Sequence, residues 1–453
     1  MSKVEKALAA AGETRALRIG WGILTEVADL FTEQFPAKAA VVIADPATYR
    51  VAGKRVHTLL EEAGIPLQEP FIFQESHLYA EYGFVDKLVS FLRTHEAIPV
   101  VVGSGTLNDL TKLAAHLTQR QYLCVATAAS MDGYTAFGAS ITANGAKQTF
   151  NCPAPQACLA DIEIISRAPT ELTAAGFADL FAKVTAGADW ILADRLEVEA
   201  IDPTAWAIVQ DGLHEALADP DGVGRGDTIA LSKLVEGLML SGFAMQWMRS
   251  SRPASGAEHQ FSHLWNMENH LNHGEHVSHG FQVSIGTLAI TALYEVFFDT
   301  PVNQLNINQC TENWPSATAL AEDALHRFSD TDFPDIGFQE TQAKYIDSGA
   351  LFSQLKQLKE DWVAIKSVLQ QQIIPLSEVK RRLALVGAPV EPEQIGISRV
   401  RLRETFIRAQ YIRRRFTLLD VAVRTGYLPI WLDRLFGSGG IWEIQPPAYF
   451  SSK

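Results

Sequence analysis

The first 170 residues alternate short apolar runs with segments of helical periodicity. The continuously apolar runs lie at residues 39–44, 70–73, 98–102 and 122–126. Such runs are typical of strands that are buried on both faces of a parallel sheet. Between two of them, apolar residues recur three and four positions apart at Val85, Leu88, Val89 and Leu92, which predicts a helix. Strands that alternate with helices predict an α/β fold.

Beyond about residue 172 the strand patterns nearly vanish and helical periodicity dominates. Long helices are predicted at 177–192, 227–248 and 352–369. The change follows a proline-containing segment at 152–155 and one more apolar run, 161–165, which is expected to be a strand. We therefore predict a Rossmann-like nucleotide-binding α/β domain at residues 1–168 and an all-helical domain at residues 169–453.

The composition excludes several classes of protein. The net charge of −14 over 453 residues gives a surface that repels nucleic acid, so no nucleic-acid partner is expected. The most apolar segment, 281–294, is shorter than the ~18 residues that cross a bilayer, so no membrane insertion is expected. The four cysteines show no CxxC spacing and are expected to be reduced thiols of a cytoplasmic protein.

A glycine-rich turn, VVVGSGTLND at 100–109, follows the third predicted strand. Glycine lets the backbone approach a pyrophosphate closely, and the amide groups at a helix N-terminus bind anions. The candidate phosphate contacts are Gly103, Ser104, Gly105 and Thr106; an ordinary tight turn is the alternative. Asp45, after the first predicted strand, is a candidate acceptor for a cofactor ribose hydroxyl. It is equally well interpreted as a helix cap before Pro46.

Six of the twelve histidines lie within residues 259–279. Clustered imidazoles in a cysteine-poor chain indicate a transition-metal site, and His259 and His263 share one face if this segment is helical. A catalytic metal typically has about three protein ligands, so a carboxylate from elsewhere is expected. Asp179 interrupts an apolar helical face, where an unpartnered carboxylate is costly. A salt bridge from Asp179 to Lys183, four residues later, is the alternative.

Four segments, taken together, resemble the glycerol-1-phosphate dehydrogenase family, which belongs to the superfamily of iron-dependent alcohol dehydrogenases and dehydroquinate synthases. In order, they are GSGTLNDLTK, TAASMDGYTAFGASI, GFADLFAKVTAGADW and SGAEHQFSHLWNMENHLNHGEHV. The resemblance runs from about Gly20 to Gly426, and residues 409–420 are similar to the bacterial branch. It implies a dehydroquinate synthase-like fold, with a nucleotide-binding α/β domain before an all-helical domain.

The resemblance also implies one divalent metal, zinc, nickel or iron, that is bound by an aspartate and two histidines. By position these ligands are Asp179, His259 and His273, since the superfamily's iron-dependent alcohol dehydrogenases place the second histidine fourteen residues after the first. His263 then matches a histidine that borders the substrate and nicotinamide and is a candidate proton relay. Asp132 matches an aspartate near the nicotinamide and the substrate hydroxyls. The remaining histidines of the cluster are expected to have no metal role: His270, His276 and His279.

The implied cofactor is NAD(P)H. The residues that match the family's cofactor-binding positions are Gly103, Ser104, Gly105, Thr106, Asp109, Thr127 and Ser130. Lys112 is expected to be an exposed helix lysine, and an approach to the cofactor or substrate phosphate is the alternative. The implied reaction is reversible hydride transfer at C2, which interconverts dihydroxyacetone phosphate and sn-glycerol 1-phosphate. Alternatives are a dehydrogenase of an unphosphorylated polyol such as glycerol, a sugar-phosphate cyclase of the dehydroquinate synthase type, and a non-catalytic metal-binding protein.

The expected partners are a small phosphorylated three-carbon substrate and further copies of the chain in a homo-oligomer. Candidate seats for the substrate phosphate are Arg225, Lys233 and Arg249, but no spacing argument singles one out. The basic run of Arg408 and 413–415 is a further candidate, although it is interpreted as a solvated or interface-facing helix side. The tail after Leu428 is expected to pack on another surface, such as a neighbouring subunit, because it carries four aromatic residues: Trp431, Phe436, Trp442 and Tyr449.

Overall fold

The computed structural model describes residues 2–75, 78–143 and 146–445. Within these ranges the strands are β1 (Ala16–Gly20), β2 (Ala40–Ala44), β3 (Phe71–Ile72), β4 (Ile98–Gly103), β5 (Leu123–Ala126), β6 (Ala139–Ala143), β7 (Ala146–Phe150), β8 (Ala157–Asp161), β9 (Leu271–Asn272) and β10 (Glu275–His276).

The helices of the N-terminal part are α1 (Lys3–Ala11), α2 (Val27–Gln34), α3 (Pro46–Thr48), α4 (Lys54–Glu62), α5 (Tyr82–Leu92), α6 (Gly105–Leu117) and α7 (Ile162–Ile165). Those that follow are α8 (Thr170–Phe181), α9 (Lys183–Arg195), α10 (Pro203–Gln210), α11 (Leu213–Ala216), α12 (Pro220–Arg225), α13 (Thr228–Met248), α14 (Ala257–Met267), α15 (His279–Phe298), α16 (Ile307–Glu312), α17 (Ala317–Arg327), α18 (Pro334–Lys344), α19 (Ser348–Glu360), α20 (Trp362–Gln372), α21 (Leu376–Leu385), α22 (Arg399–Arg408), α23 (Leu418–Arg424) and α24 (Leu428–Phe436).

A six-stranded parallel sheet with the strand order β1-β8-β5-β4-β2-β3 is the centre of the N-terminal part. Every residue of β2, β4, β5 and β8 is buried. The predicted α/β architecture with a parallel sheet is therefore confirmed, as is the helical C-terminal part. Strands β6 and β7 form a separate antiparallel hairpin, and β9 and β10 form another.

The expected strand at 161–165 is wrong, because β8 ends at Asp161 and helix α7 follows at once. The Asp161 carboxylate accepts a hydrogen bond from the Glu163 backbone N–H at 2.9 Å and so caps this helix. It also accepts from the N–H groups of Gly22 and Leu24, at 2.9 and 2.8 Å. A short apolar run does not distinguish a buried strand from a buried helix.

Two of the predicted long helices are each interrupted once. Helices α8 and α9 meet at Ala182, and α19 and α20 meet at Asp361, whereas α13 is continuous over the predicted range. Helix α1, although N-terminal, packs its buried Ala7 and Ala11 against α10 and α13. The N-terminal helix is therefore part of the core of the helical part.

Helices α13 and α15 are long and apolar enough to cross a membrane by length and composition alone, so the expectation that no segment reaches this length is wrong. Their most apolar windows are 67% and 83% buried inside the protein, as in core helices. Two of the polar residues that shorten the apolar run of α15, Gln282 and Ser284, have internal partners. Ser284, for example, donates to the carbonyl of Pro389 at 2.7 Å.

The aromatic residues after Leu428 pack on the chain's own helices. Trp431 lies 5.4 Å from the ring of Phe297, and Phe436 lies 5.9 Å from Phe406. Trp442 is 2% exposed. These three rings therefore cover the helical core of the same chain, while Tyr449 lies outside the described residues.

Candidate active site

The predicted phosphate-binding turn lies at the carboxyl edge of the sheet. Gly103 ends β4, and Gly105 begins α6 directly after Ser104. Strand β4 lies beside β2 in the sheet. The chain after β2 runs outward to β3, whereas the chain after β4 runs to β5 on the other side. The loops that follow β2 and β4 therefore diverge and leave a crevice between them. The Ser104 side chain does not cap α6, and the first amide groups of this 13-residue helix are available to an anion.

The next strand brings two more predicted cofactor residues to this edge. Thr127 follows β5, is buried, and its N–H donates to the carbonyl of Gly103 at 3.1 Å. The Ser130 hydroxyl lies 3.2 Å from that of Tyr134. Both residues thus belong to the loop that faces the glycine turn.

Asp45 and Asp109 have structural partners. Asp45 caps α3, since its carboxylate accepts from the Thr48 N–H at 2.7 Å, as the capping interpretation expects. It nevertheless lies at the end of β2, beside the glycine turn. Asp109, on α6, accepts from the Ser140 N–H at 3.2 Å and so contacts the β6–β7 hairpin.

Lys112 is buried, which contradicts the expectation of an exposed helix lysine. Its ammonium group donates to the carbonyls of Gly133, Ala136 and Gly138 at 2.9, 2.9 and 3.0 Å. Three backbone acceptors satisfy all three donors of a lysine. Lys112 therefore fixes the loop 133–138 against α6 and, with it, the position of the preceding Asp132.

Three helices bring a carboxylate and two imidazoles together. Asp179 lies on α8, His259 on α14, and His279 at the first position of α15; one possible ligand atom from each lies within 4.8 Å of the others. His263 is one helical turn after His259, and its ring is 6.4 Å from that of His259 and 6.5 Å from that of His279. The predicted relay histidine thus borders the cluster.

Two glycines allow these elements to approach closely. A Cβ atom on Gly280 would lie 2.1 Å from the carbonyl oxygen of Ala175, so α15 packs directly on the backbone of α8. A Cβ on Gly176 would lie 1.9 Å from the carbonyl oxygen of Ala129, so α8 packs equally closely on the loop that leads to Asp132. Larger residues at either position would separate parts of the site.

His273 does not join the cluster, so the assignment of the third ligand is corrected. His273 is exposed and has a φ of 52° in the turn between β9 and β10. This hairpin separates α14 from α15, so the chain returns to the site only at His279, for which no metal role is predicted. The sequence feature that could have identified His279 is its position at the start of a long apolar helix, α15, which packs on α8 and α14.

The other predicted non-ligand histidines lie apart. His270 is buried between the carbonyl oxygen of Ile395, at 2.6 Å, and the guanidinium of Arg401, at 2.7 Å. His276 is exposed, and its ring is 5.7 Å from that of Tyr79. Neither belongs to the cluster.

A buried glutamate orients His259. The Glu258 carboxylate lies 2.7 Å from Nδ1 of His259 and also accepts from the Gly256 N–H and the Thr185 hydroxyl, at 2.6 and 2.8 Å. Although burial opposes ionisation, the hydrogen bond from His259 lowers the pKa of Glu258. Because an ionised carboxylate only accepts, Nδ1 of His259 carries a proton, and Nε2 lies on the side of Asp179, 3.5 Å away.

A hydroxyl orients His279 in a similar way. The Ser262 hydroxyl donates its proton to Gln282 at 2.8 Å, and Nδ1 of His279 lies 3.1 Å from the same oxygen. Since a hydroxyl has one proton to donate, Nδ1 of His279 is the donor in this contact. Its Nε2 then lies on the opposite side of the ring from Ser262.

Lys183 lies between the two aspartates of the site. Its ammonium group is fully buried, 2.7 Å from Asp179 and 2.9 Å from Asp132. The Ser241 hydroxyl also donates to Asp132 at 2.8 Å, and the Asp132 N–H donates to Asp179 at 3.0 Å. The salt bridge to Lys183 and the histidine cluster, which were alternatives for Asp179, therefore both exist.

These contacts shift the pKa values of the two carboxyls in opposite directions. Burial raises the pKa of Asp132, and the charge of Asp179 adds to this effect against the opposing charge of Lys183. Burial also opposes ionisation of Asp179, but Lys183 and His259 hold its pKa well below the usual value. Asp179 is thus ionised, and Asp132 is the more readily protonated of the pair.

The donor set fits a divalent transition metal. One carboxylate and two imidazoles are ligands for zinc, nickel and ferrous iron, and a catalytic site with three protein ligands keeps a position open for substrate. Here Asp132 and His263 border the cluster. The second partners of both imidazoles are of the kind that orient metal-binding histidines.

Comparison with known proteins places the chain among metal-dependent dehydrogenases. Residues 18–169 match the family model of the iron-containing alcohol dehydrogenases. A glycerol-1-phosphate dehydrogenase (NAD(P)+) of Bacillus licheniformis is 29% identical over 366 residues, which cover 79% of this chain and 90% of the relative. The enzyme of that name from Methanosarcina mazei is 34% identical over 281 residues, 62% of this chain and 76% of the relative.

Solved structures show the same fold. The glycerol dehydrogenase of Schizosaccharomyces pombe matches with a TM-score of 0.58 at 16% identity, over 93% of this chain and 90% of that one. The maleylacetate reductase of Rhizobium sp. strain MTP-10005 matches with a TM-score of 0.57 at 16% identity, over 92% and 95%.

Proposed function

The chain belongs to the glycerol-1-phosphate dehydrogenase family of the iron-containing alcohol dehydrogenases, and from this we propose that it reduces dihydroxyacetone phosphate to sn-glycerol 1-phosphate with NAD(P)H. The observation that carries the proposal is the convergence of Asp179, His259 and His279 next to the loop that faces the glycine turn. The substrate is a small phosphorylated three-carbon ketone, and the reverse reaction oxidises the secondary alcohol.

Asp179, His259 and His279 are the proposed metal ligands. A zinc, nickel or ferrous ion held there would polarise the ketone as a Lewis acid. Glu258 and Ser262 keep the two imidazole Nε2 atoms directed at the ion by accepting the Nδ1 protons. Lys183 and the Asp132 N–H would hold the Asp179 carboxylate in place, at 2.7 and 3.0 Å.

The glycine turn is the proposed seat of the cofactor. NAD(P)H would supply the hydride to C2 of the substrate. Gly103, Ser104, Gly105 and Thr106 present backbone amides to the pyrophosphate at the start of α6. The loop with Thr127 and Ser130 is the proposed lining of the cofactor cleft, and Asp45 is the proposed acceptor for a ribose hydroxyl. Asp109 supports this region through its contact with the β6–β7 hairpin.

His263 and Asp132 are the proposed catalytic groups. His263 borders the ligand cluster without belonging to it, and a neutral imidazole exchanges protons near pH 7. It passes a proton to the substrate oxygen. Asp132 is held by Lys183 and Ser241 and accepts a hydrogen bond from a substrate hydroxyl, which orients C2.

Three further proposals concern the molecule in the cell. We propose two domains that divide near residues 168 and 169, a homodimer, and a cytoplasmic location. The described cysteines are all free thiols, and Cys124 and Cys158 are aligned on adjacent strands without forming a disulfide. This supports a reducing compartment.

The test is NADH oxidation by metal-stripped protein to which zinc or nickel is restored. Dihydroxyacetone phosphate and dihydroxyacetone are compared at equal concentrations. The proposal predicts metal-dependent turnover, with kcat/KM at least ~100-fold higher for the phosphorylated ketone, about the size of effect that a charged hydrogen-bonded group contributes. Equal rates with the two ketones would instead identify a dehydrogenase of an unphosphorylated polyol.

Two histidine variants provide the matched control. His279→Ala is expected to abolish metal-dependent turnover, while His273→Ala, in the exposed turn, is expected to keep it. Fluorescence titration with NADH should give nearly the same Kd for both, because the glycine turn is untouched. Loss of activity in His273→Ala with an active His279→Ala would contradict the ligand assignment.

A further inference from the structure

A second cleft lies beside the start of helix α14. It has a volume of ≈ 550 Å³ and is lined by Glu199, Ser250, Glu340, Ile412, Arg413, Arg414 and Arg415. This volume lies within the ~300–1,000 Å³ that small-molecule sites occupy. The three consecutive arginines, interpreted from sequence as a solvated or interface-facing helix side, instead lie in irregular backbone after a short 3-10 turn and border a recess.

Arg413 and Arg415 both border the cleft. Arg413 is extended, with φ −150° and ψ 144°, and its charge is close enough to Arg415 to destabilise the charged form of that residue. The intervening Arg414 forms two hydrogen bonds with the carboxylate of Glu340, at 3.0 and 2.8 Å. The charge of Arg414 is therefore already neutralised.

Arg413 and Arg415 lack such a carboxylate. Arg415 donates to the carbonyls of Ser255 and Ser251 and to the Ser251 hydroxyl, all of which are neutral. Over the residues that the structure describes, neither guanidinium has a carboxylate oxygen within ion-pair distance. Arg252, 1% exposed, adds a third positive charge nearby and has Glu199 at 3.1 Å. The cleft thus holds uncompensated positive charge in a chain of net charge −14.

Burial of these side chains is unfavourable without an anion. Burial lowers the pKa of Arg413, and it lowers the pKa of Arg415 to about 9, with the charges of Arg252 and Arg413 adding to the effect. A pKa lowered in this way reports that the charged form is destabilised. A bound anion would offset both the burial and the mutual repulsion.

We propose that this cleft binds a small anion of the phosphate-ester class that carries two or more negative charges. The planar fork of a guanidinium matches two oxygens of a phosphate, and two such forks converge here. Both arginines are only partly exposed, so a small molecule reaches them better than a flat anionic surface does.

This site is separate from the one that holds the reacting ketone. The proposed metal faces Nε2 of His259, whereas Glu258 occupies the Nδ1 side of the same ring. Arg252 and Arg415 interact electrostatically with Glu258, so they lie behind His259. Gln260, the next residue on α14, also faces away from the cluster, since its amide donates to the carbonyl of Arg415. The proposal therefore does not depend on the dehydrogenase activity.

The test is calorimetric titration with inorganic pyrophosphate, at low ionic strength, of metal-free protein saturated with NADH, which fills the proposed pyrophosphate seat at the glycine turn. Arg413→Gln removes a guanidinium that has no hydrogen bond within the described chain, so the fold should be retained and the Kd for pyrophosphate should rise at least tenfold. Arg413→Lys, which keeps the charge, should recover part of the affinity. Arg403→Gln, an exposed arginine paired with Asp433, removes the same charge elsewhere and should leave the Kd unchanged.

Further outcomes decide between this site and the active site. His279→Ala should bind pyrophosphate as tightly as the native protein does, because its altered side chain lies on the other side of His259. An unchanged Kd in Arg413→Gln would overturn the proposal. So would an equal loss in Arg403→Gln, which would indicate general charge attraction, or a change of oligomeric mass in Arg413→Gln without a change in affinity, which would indicate a subunit contact.

Discussion

Carboxylates and a lysine surround the proposed metal ligands. Lys183 pairs with both Asp132 and Asp179, and Glu258 pairs with His259. Because buried like charges repel strongly, loss of a positive group from this cluster is expected to be costly.

The protonation of Asp189 is expected to make the free energy of unfolding depend on pH. Burial raises its pKa to about 7, with the charge of Glu258 as the next cause, against hydrogen bonds from Tyr294, Ala257 and Leu418. In the unfolded chain an aspartate titrates near ~3.9. At pH values between these two pKa values, the folded protein binds the Asp189 proton more tightly than the unfolded chain does. Its contribution to the free energy of unfolding is therefore greatest at low pH and is lost as the pH rises through about 7.

We expect the free energy of unfolding of metal-free protein to fall between pH 5 and 7 more steeply than that of Asp189→Asn. The difference in slope is at most ~1.4 kcal/mol per pH unit for one proton. Urea denaturation at several pH values measures it. If the two proteins have the same slope, Asp189 is ionised throughout this range and the account of its environment is incorrect.

Chemistry alone singles out two of the three clustered side chains in the sequence. Asp179 is conspicuous as a carboxylate on an apolar helix, and His259 as part of a histidine cluster. His279 was missed because the choice among six histidines depends on the β9–β10 hairpin, which spacing does not reveal. Lys112 was wrongly predicted to be exposed because its three acceptors are backbone carbonyls of a loop more than twenty residues away, which the local sequence does not reveal.

At the level of elements, the contact between α8 and α15 decides whether the ligands meet. Gly280→Ala would place a Cβ 2.1 Å from the carbonyl oxygen of Ala175, so α15 has to move and carry His279 away from Asp179. We expect at least a tenfold loss of zinc affinity. Competition of the purified variant against a chromogenic chelator measures it.

Gly349→Ala is the control for this substitution. Gly349 lies in the first turn of α19, where the nearest atom to a Cβ is an Asp347 oxygen at an ordinary 3.4 Å. Alanine also favours a helix over glycine by ~1 kcal/mol. Native zinc affinity is therefore expected. Equal affinities in both alanine variants would show that the close helix contact does not position His279.

The elements that the sequence predicts well are those buried on both faces. Strands β2, β4 and β5 have apolar runs because neighbouring strands and covering helices exclude water from every residue. Strand β1 was missed since it is at the sheet edge and only half-buried along its length. The β6–β7 hairpin pairs outside the main sheet and shows no continuous apolar run.

Across the whole molecule, the site is assembled from two parts of different architecture. The loop that contains Asp132 extends from the parallel sheet, while the three proposed ligands come from helices of the C-terminal part. Helix α1 adds a second connection, because it begins the chain but packs among those helices. Such a crevice between a cofactor loop and a ligand cluster suits a reaction between two bound groups.

The most direct test of the account is the position of the metal. Crystals of protein reconstituted with zinc or nickel, measured at the absorption edge of that metal, should give one strong anomalous peak per chain. We predict that it lies among Asp179, His259 and His279, with Lys183 outside the coordination sphere. A peak at His273 or His276, or an empty site in an enzyme that turns over, would contradict the account.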